Sequence, residues 1–192
     1  MKKTADSVPI APYHAVRFYD SEISLAQIVA NFLAEGLTHG TPGIVVAAPS
    51  QRAAIVRALV VRSFDVVSLQ QSGDLVLLDA EETLSAFLKD DGTLQAKAFE
   101  HVMRDVIRKA CRGRIDRTVR IYGQMVDILW KSDRQKLAIH LEVLWNQLAN
   151  TDAFSLLCGY AIGSFYKDAN FGEICRQHTH VVAGDGGAEA VA

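Results

Sequence analysis

Apolar and polar positions along this chain follow two periods. Short, nearly continuous apolar runs predict strands: "AVRFY" (15–19), "GIVVAA" (43–48), "VVSL" (66–69), "LVLLDA" (75–80), "TVRIY" (118–122) and "SLLCGYAI" (155–162). Between them the apolar residues recur at three- and four-residue spacing. Leu25, Ile28, Val29, Phe32 and Leu33 share one helical face, with Gly36 placed to close that helix. A second helix is expected from a cap at Ser50 to Arg62, and Asp79 with Glu81 and Glu82 supplies the acid that favours another helix start. The clearest helix covers 96–111, where Phe99, Val102, Met103, Val106, Ile107, Ala110 and Cys111 form one stripe that Gly113 ends. Ser132 and Gln135 spell a capping box ahead of a face made of Leu137, Leu141, Leu144, Trp145 and Leu148. Residues 171–182 read as a short last helix or turn.

Strands alternating with helices in this way predict an α/β fold: a single three-layer domain with a mainly parallel sheet. The chain divides into an N-terminal extension (1–13), the domain (14–182) and a small-residue tail (183–192), expected to be flexible. At 192 residues, such a domain buries roughly 70% of its unfolded surface and requires no staple.

Composition changes this picture little. Hydrophobic residues make up 49% and charged residues 22%, which is globular usage, and a net charge of −2 exerts no general pull on nucleic acid or anionic membrane. No signal-peptide run follows the opening lysines, and no stretch of eighteen uncharged apolar residues occurs; the expectation is a soluble, cytoplasmic protein. Cys111, Cys158 and Cys175 are odd in number and scattered, which suits reduced thiols.

In parallel sheets ligands bind where strands end, so Asp20, Pro49-Ser50, Asp79, Gly123-Gln124-Met125 and Gly159-Tyr160 come first. Pro49-Ser50-Gln51-Arg52 lacks the glycines and lysine of a phosphate loop, and without one Asp79 is a helix-start device rather than a magnesium ligand. "CRQHTH" (175–180) has the residue types of a zinc site, with Cys175 and His178 on one helical face, but no second ligand pair nearby; no metal and no cofactor are expected. Seven basic residues between Arg104 and Arg120, against Asp105 and Asp116, read as a solvated face.

The stretch "VRIYGQMVDILW" (119–130) is the most informative. Arg120 and Tyr122 are two apart in a strand and face one side, Gly123 ends the strand, and Gln124 and Met125 line its exit. Cys158 and Tyr160 repeat that spacing on the next strand. Together these outline a small pocket. A buried arginine also needs a carboxylate, and Glu142 is the candidate for structural pairing.

Taken in order, "HAVRFYD", "ANFLAEGLTHGTPGIVVAAP", "VRIYGQMVDILW", "HLEVLWNQL", "SLLCGY" and "ICRQH" resemble the sensory domain named for methanogens, methylotrophs and a dichloromethane-responsive regulator (MEDS). The resemblance implies a RecA-like core lacking a phosphate loop. It also implies a ligand-sensing role beside histidine kinases or transcription regulators, with hydrocarbon derivatives as signals. It carries His14, Tyr19, Arg120, Tyr122, Gly123, Met125, Glu142, Cys158, Tyr160 and His178 as family-type positions; Gln124 stands where a glutamate is expected. The resulting expectation is a stand-alone, non-enzymatic sensory or regulatory domain. It would bind a small ligand or a signalling protein, without direct contact to nucleic acid or membrane and with a homodimer as one arrangement. The ligand-binding residues would be His14, Tyr19, Arg120, Tyr122, Gly123, Gln124, Met125, Cys158, Tyr160 and His178. The alternatives are a degenerate nucleotide-binding enzyme, or a thiol enzyme or redox sensor built on Cys158.

Overall fold

The structure, a computed structural model, describes residues 12–112, 118–164, 171–183 and 187–190. Its strands are β1 (His14–Tyr19), β2 (Gly43–Ala47), β3 (Leu75–Asp79), β4 (Val119–Gly123), β5 (Phe154–Ala161), β6 (His180–Ala183) and β7 (Gly187–Ala190). Its helices are α1 (Glu22–Thr38), α2 (Pro49–Val61), α3 (Val66–Ser72), α4 (Ala80–Ser85), α5 (Ala96–Ala110), α6 (Met125–Lys131), α7 (Gln135–Ala149) and α8 (Phe171–Gln177). The sheet runs β3-β2-β4-β5-β1-β6-β7, all parallel except β7, which pairs antiparallel with β6. Parallel strands buried on both faces account for the unbroken apolar runs in the sequence.

Each face of the sheet carries its own core. On one side Leu25, Val29, Leu33, Ile55, Leu59 and Val66 from α1–α3 pack over Ala15, Val45, Tyr122 and Leu157. On the other, Leu84, Phe99, Met103, Met125, Leu129, Leu141 and Ile174 from α4–α8 pack over Val16, Ile44, Ile121 and Leu156. The α/β layering with a mainly parallel sheet is therefore as the sequence pattern implies. None of the described helices is long and apolar enough to cross a membrane.

Several local expectations give way. "VVSL" is the start of α3, not a strand: Asp65 caps it by accepting from the Ser68 amide, and Gly73 ends it at φ 75°. The caps outweigh the β-branched Val66-Val67 pair. Gly36 does not close α1, which continues to Thr38; Gly40, at φ 75°, follows. Gly36 instead makes room for Arg120, since a Cβ there would lie 2.8 Å from the Arg120 Cδ. Ser50 is not a cap; α2 begins after Ala48 with Pro49 in its first turn. Ser132 does not open α7 either. It ends α6, its hydroxyl donating to the Ile128 carbonyl, and Asp133 at φ 56° turns the chain before α7 starts at Gln135. Residues 171–182, read as one helix or turn, split into α8 and strand β6, and 187–190, assigned to a flexible tail, form β7. The proposed stop at Gly113 lies outside the described residues. By contrast, Asp79 does start a helix, accepting from the amides of Glu81 and Glu82.

Among the described residues the basic stretch is paired with acids; Arg114 and Arg117 lie outside them. Arg104 pairs with Glu100 and Asp152, Arg108 and Lys109 with Asp105, and Arg112 with Asp74.

Candidate functional site

Strand alternation sorts the expected site residues onto opposite faces of the sheet. Arg120 and Tyr122 of β4 point toward α1, whereas Cys158 and Tyr160 of β5 point toward α7. No single pocket contains all four, so the pocket outlined from the sequence is corrected to two separate places, with a third at the strand exits.

Arg120 lies near the amino end of β4, paired in register with Gly43 at the start of β2. Its guanidinium donates to the Phe32 carbonyl at 2.6 Å and to Glu35 Oε2 at 2.7 Å, and sits 5.1 Å from the Phe32 ring centroid. The partner is Glu35, not Glu142; α1 passes over β4 here, whereas α7 lies beneath the sheet. Tyr122 is completely buried, and its hydroxyl has no hydrogen-bond partner among the described residues. The lack of a Cβ at Gly159 admits that hydroxyl, because a Cβ would sit 3.2 Å from it.

At the carboxyl ends of β1 and β5 the site is built around Asp127, a residue that the sequence reading missed. It is buried in the first turn of α6. Its carboxylate accepts from the Tyr19 hydroxyl at 2.7 Å, the Ala161 amide at 2.9 Å and Lys131 Nζ at 2.8 Å. Burial and the adjacent Asp127 charge push the Tyr19 phenol up to about 12. Burial alone would lower Lys131, but its hydrogen bonds to Asp127 and Tyr19 hold it above the usual lysine value. The lone acid within the apolar "MVDILW" was the available signal. Nearby, Gln124 Oε1 accepts from the Ala48 amide, Met125 is core, and Gly123 has only ordinary clearance from Leu156, so no close approach demands a glycine there.

The face of β5 toward α7 gathers His14, Glu142, Cys158, Tyr160 and His178. His14 opens β1, Cys158 and Tyr160 lie on β5, Glu142 projects from the middle of α7, and His178 follows α8. All are buried. Glu142 is the hub. Its Oε2 lies 3.2 Å from His14 Nε2 and 3.4 Å from Cys158 Sγ; its Oε1 accepts from the Tyr160 hydroxyl at 2.8 Å and lies 3.3 Å from His178 Nε2. Burial works against the Glu142 charge, yet His178 and His14 hold its carboxyl well below the usual range. Burial and the same carboxylate push the Cys158 thiol and the Tyr160 phenol well up.

Asn146 completes the arrangement and was also missed, although it lies one helical turn from Glu142. Its Nδ2 donates to the Gln177 carbonyl, which turns Oδ1 toward His14 Nδ1 at 2.9 Å. Cys175 stays outside this cluster. The zinc-like run therefore contributes only His178, through long-range contacts that no local spacing could reveal.

A family model described as "MEthanogen/methylotroph, DcmR Sensory domain" matches residues 13–179. No curated protein matches the chain in sequence. Among solved structures it is similar to the KaiC-like protein PH0186 of the hyperthermophilic archaeon Pyrococcus horikoshii OT3. The TM-score is 0.58 at 14% identity, over 88% of this chain and 70% of that one. That likeness places the fold in the RecA-like class.

Proposed function

The chain belongs to the MEDS family of sensory domains, and we propose that it acts in the cytoplasm as a sensory or regulatory domain without catalysis, responding to a small ligand or a signalling protein. The observation that carries this reading is the buried cluster around Glu142. A carboxylate, two imidazoles, a thiol and a phenol at 6% exposure or less cost several kcal/mol to desolvate, and an apolar core would be at least as stable. Such a centre is where a small change in occupancy or proton count is transmitted to α7, α8, β1 and β5 together.

Two observations favour binding over turnover. The crevice where β1 and β5 end is occupied by Asp127, Tyr19 and Lys131, whose ammonium is already paired with Asp127, and α1 starts at Ser21 and Glu22, so an acidic first turn and a neutralised lysine stand where phosphate would need free positive charge. The thiol-enzyme reading has one geometric point in its favour, His14 Nε2 at 3.5 Å from Cys158 Sγ. An adjacent carboxylate and complete burial oppose formation of the thiolate, however.

The test is a thermal-shift series on purified full chain with halogenated and oxygenated small hydrocarbons. One class should raise Tm in wild type and not in Cys158→Ala or Tyr160→Phe. Magnesium-dependent ATP turnover lost in Asp79→Asn, or rapid selective alkylation of Cys158 at pH 7, would overturn the proposal.

A further inference from the structure

The cluster around Glu142 has the donor set and spacing of a metal site. His14, Glu142, Cys158 and His178 each offer one ligand atom, all within 4.8 Å of one another. Drawn to Glu142 Oε2, three edges of that tetrahedron measure 3.2, 3.4 and 3.5 Å, and His178 Nε2 lies 3.3 Å from the other carboxylate oxygen, Oε1. Bonds of about 2.0–2.1 Å to nitrogen and oxygen and about 2.3 Å to sulfur require edges of roughly 3.3–3.8 Å in a tetrahedral zinc site. The pocket is already close to that size.

Orientation argues further than spacing. The Ile174 carbonyl can only accept, so His178 Nδ1, 2.7 Å away, carries a proton, and in the neutral imidazole that a metal requires the Nε2 lone pair is the one turned inward. That Nε2 is buried, faces Glu142 Oε1 at 3.3 Å and makes no hydrogen bond among the described residues. His14 is set the same way, its Nδ1–H donating to the Asn146 Oδ1 that Gln177 holds in place. Two imidazoles anchored through Nδ1 with Nε2 converging on a carboxylate and a thiol is how protein groups outside the ligand shell orient metal-binding histidines. Tyr160, donating to Glu142 Oε1, steadies the carboxylate in the same manner.

We propose that His14, Glu142, Cys158 and His178 bind one divalent transition cation of the zinc class in a buried tetrahedral site, with Asn146, Tyr160 and the Ile174 carbonyl as its outer supports. A soft thiolate with two imidazoles selects such a cation over magnesium or calcium. The charges balance: two neutral imidazoles, one carboxylate and one thiolate offset a dication, and the Cys158 proton leaves to solvent as the metal–sulfur bond forms. The inference deepens the sensory reading of this cluster and rests on it only for what the metal is used for.

The experiment is titration of reduced, chelator-stripped, untagged full chain with Co²⁺ followed by Zn²⁺. The expected result is one Co²⁺ per chain, with the intense visible absorption of a tetrahedral site and a thiolate-to-cobalt charge-transfer band, both removed by one equivalent of Zn²⁺. The band should persist in a Cys111→Ala/Cys175→Ser double variant, which leaves Cys158 as the sole thiol. It should vanish in Cys158→Ala, and Asn146→Ala should weaken binding by about 10–100-fold. The double variant keeps the assignment testable even where a change at Cys158 impairs folding. Binding of Co²⁺ without a thiolate band, a band lost in the double variant, or no binding to folded protein would overturn the site. The hydrocarbon thermal shift can be read on metal-free protein, so it separates failure of the metal site from failure of the sensory role. A metal-bound chain whose Tm responds to no ligand would leave the site standing and sink the sensing.

Discussion

Arg120 shows how a correct demand can be met by the wrong partner in a sequence reading. A largely buried guanidinium needs an acceptor, and the chain supplies two: the Phe32 carbonyl in the last turns of α1, where a cation is favoured, and Glu35. Glu35 is 61% exposed, so Arg120→Met leaves no buried charge behind. Urea unfolding should show a loss of about 1–2 kcal/mol rather than the 3–5 kcal/mol of a broken buried pair. Adding Glu142→Leu should recover none of it. Glu142→Leu alone should cost about 3–5 kcal/mol in chelator-treated protein, since it strips the hub from His14, His178 and Tyr160. Equal losses for the two single variants would contradict this division of labour. Gly36→Ala tests the same corner from the other side. Alanine normally gains about 1 kcal/mol over glycine within a helix. Here its Cβ would press on Arg120 Cδ and come 3.3 Å from Thr41 Cβ, so the change should destabilise wild type and become stabilising in an Arg120→Ala background.

At the scale of elements, what was legible is what short-range physics dictates. Five of the six expected strands stand within a residue or two of their apolar runs, and the stripes of α1, α5 and α7 face the core as their spacing requires. The failures sit where two local signals compete or where the determining contact is distant. Val66-Val67 has strand composition inside a capped helix, and Ser132 heads a capping-box spelling yet closes the preceding α6. The metal-type cluster draws on β1, α7, β5 and the residue after α8, whose members are separated by up to 164 positions; only the sheet order, with β1 beside β5, brings them together. Asp127 makes the comparable tie at the strand exits, joining α6 to β1 and to β5. Asp127→Ala should cost about 3 kcal/mol, because the Ala161 amide and Tyr19 lose their acceptor and Lys131 its counter-charge. Asp127→Asn, which keeps an acceptor, should cost less, and hydrogen exchange at the Ala161 amide should quicken in the alanine variant.

For the whole molecule, both cores seal phenols against ionisation, and this sets how stability responds to alkali. Burial raises Tyr122 and Tyr160 well above the ordinary value of 10, with nearby negative charge adding to the effect, and Tyr19 is pushed up to about 12. The sign follows from linkage: a folded-state pKa above the unfolded one stabilises fully below pH 10, and that stability is lost as pH rises toward the folded value. Each fully buried phenol that ionises only on unfolding removes about 1.4 kcal/mol per pH unit, so Tyr122 and Tyr160 together remove roughly 2.7 kcal/mol per unit above pH 10. The partly exposed Tyr19 adds a smaller, screened share. Set against a total of roughly 5–15 kcal/mol for a domain, this predicts cooperative alkaline unfolding in which buried phenols ionise together rather than titrating singly. Tyr122→Phe isolates one contribution. Its hydroxyl has no partner among the described residues, so the variant should match or exceed wild-type stability at pH 7. Its ΔG of unfolding should fall less steeply between pH 10 and 12, by about 1.4 kcal/mol per unit. Unfolding curves at half-unit pH steps measure both quantities, and an unchanged alkaline slope would show that Tyr122 ionises in place within the folded protein.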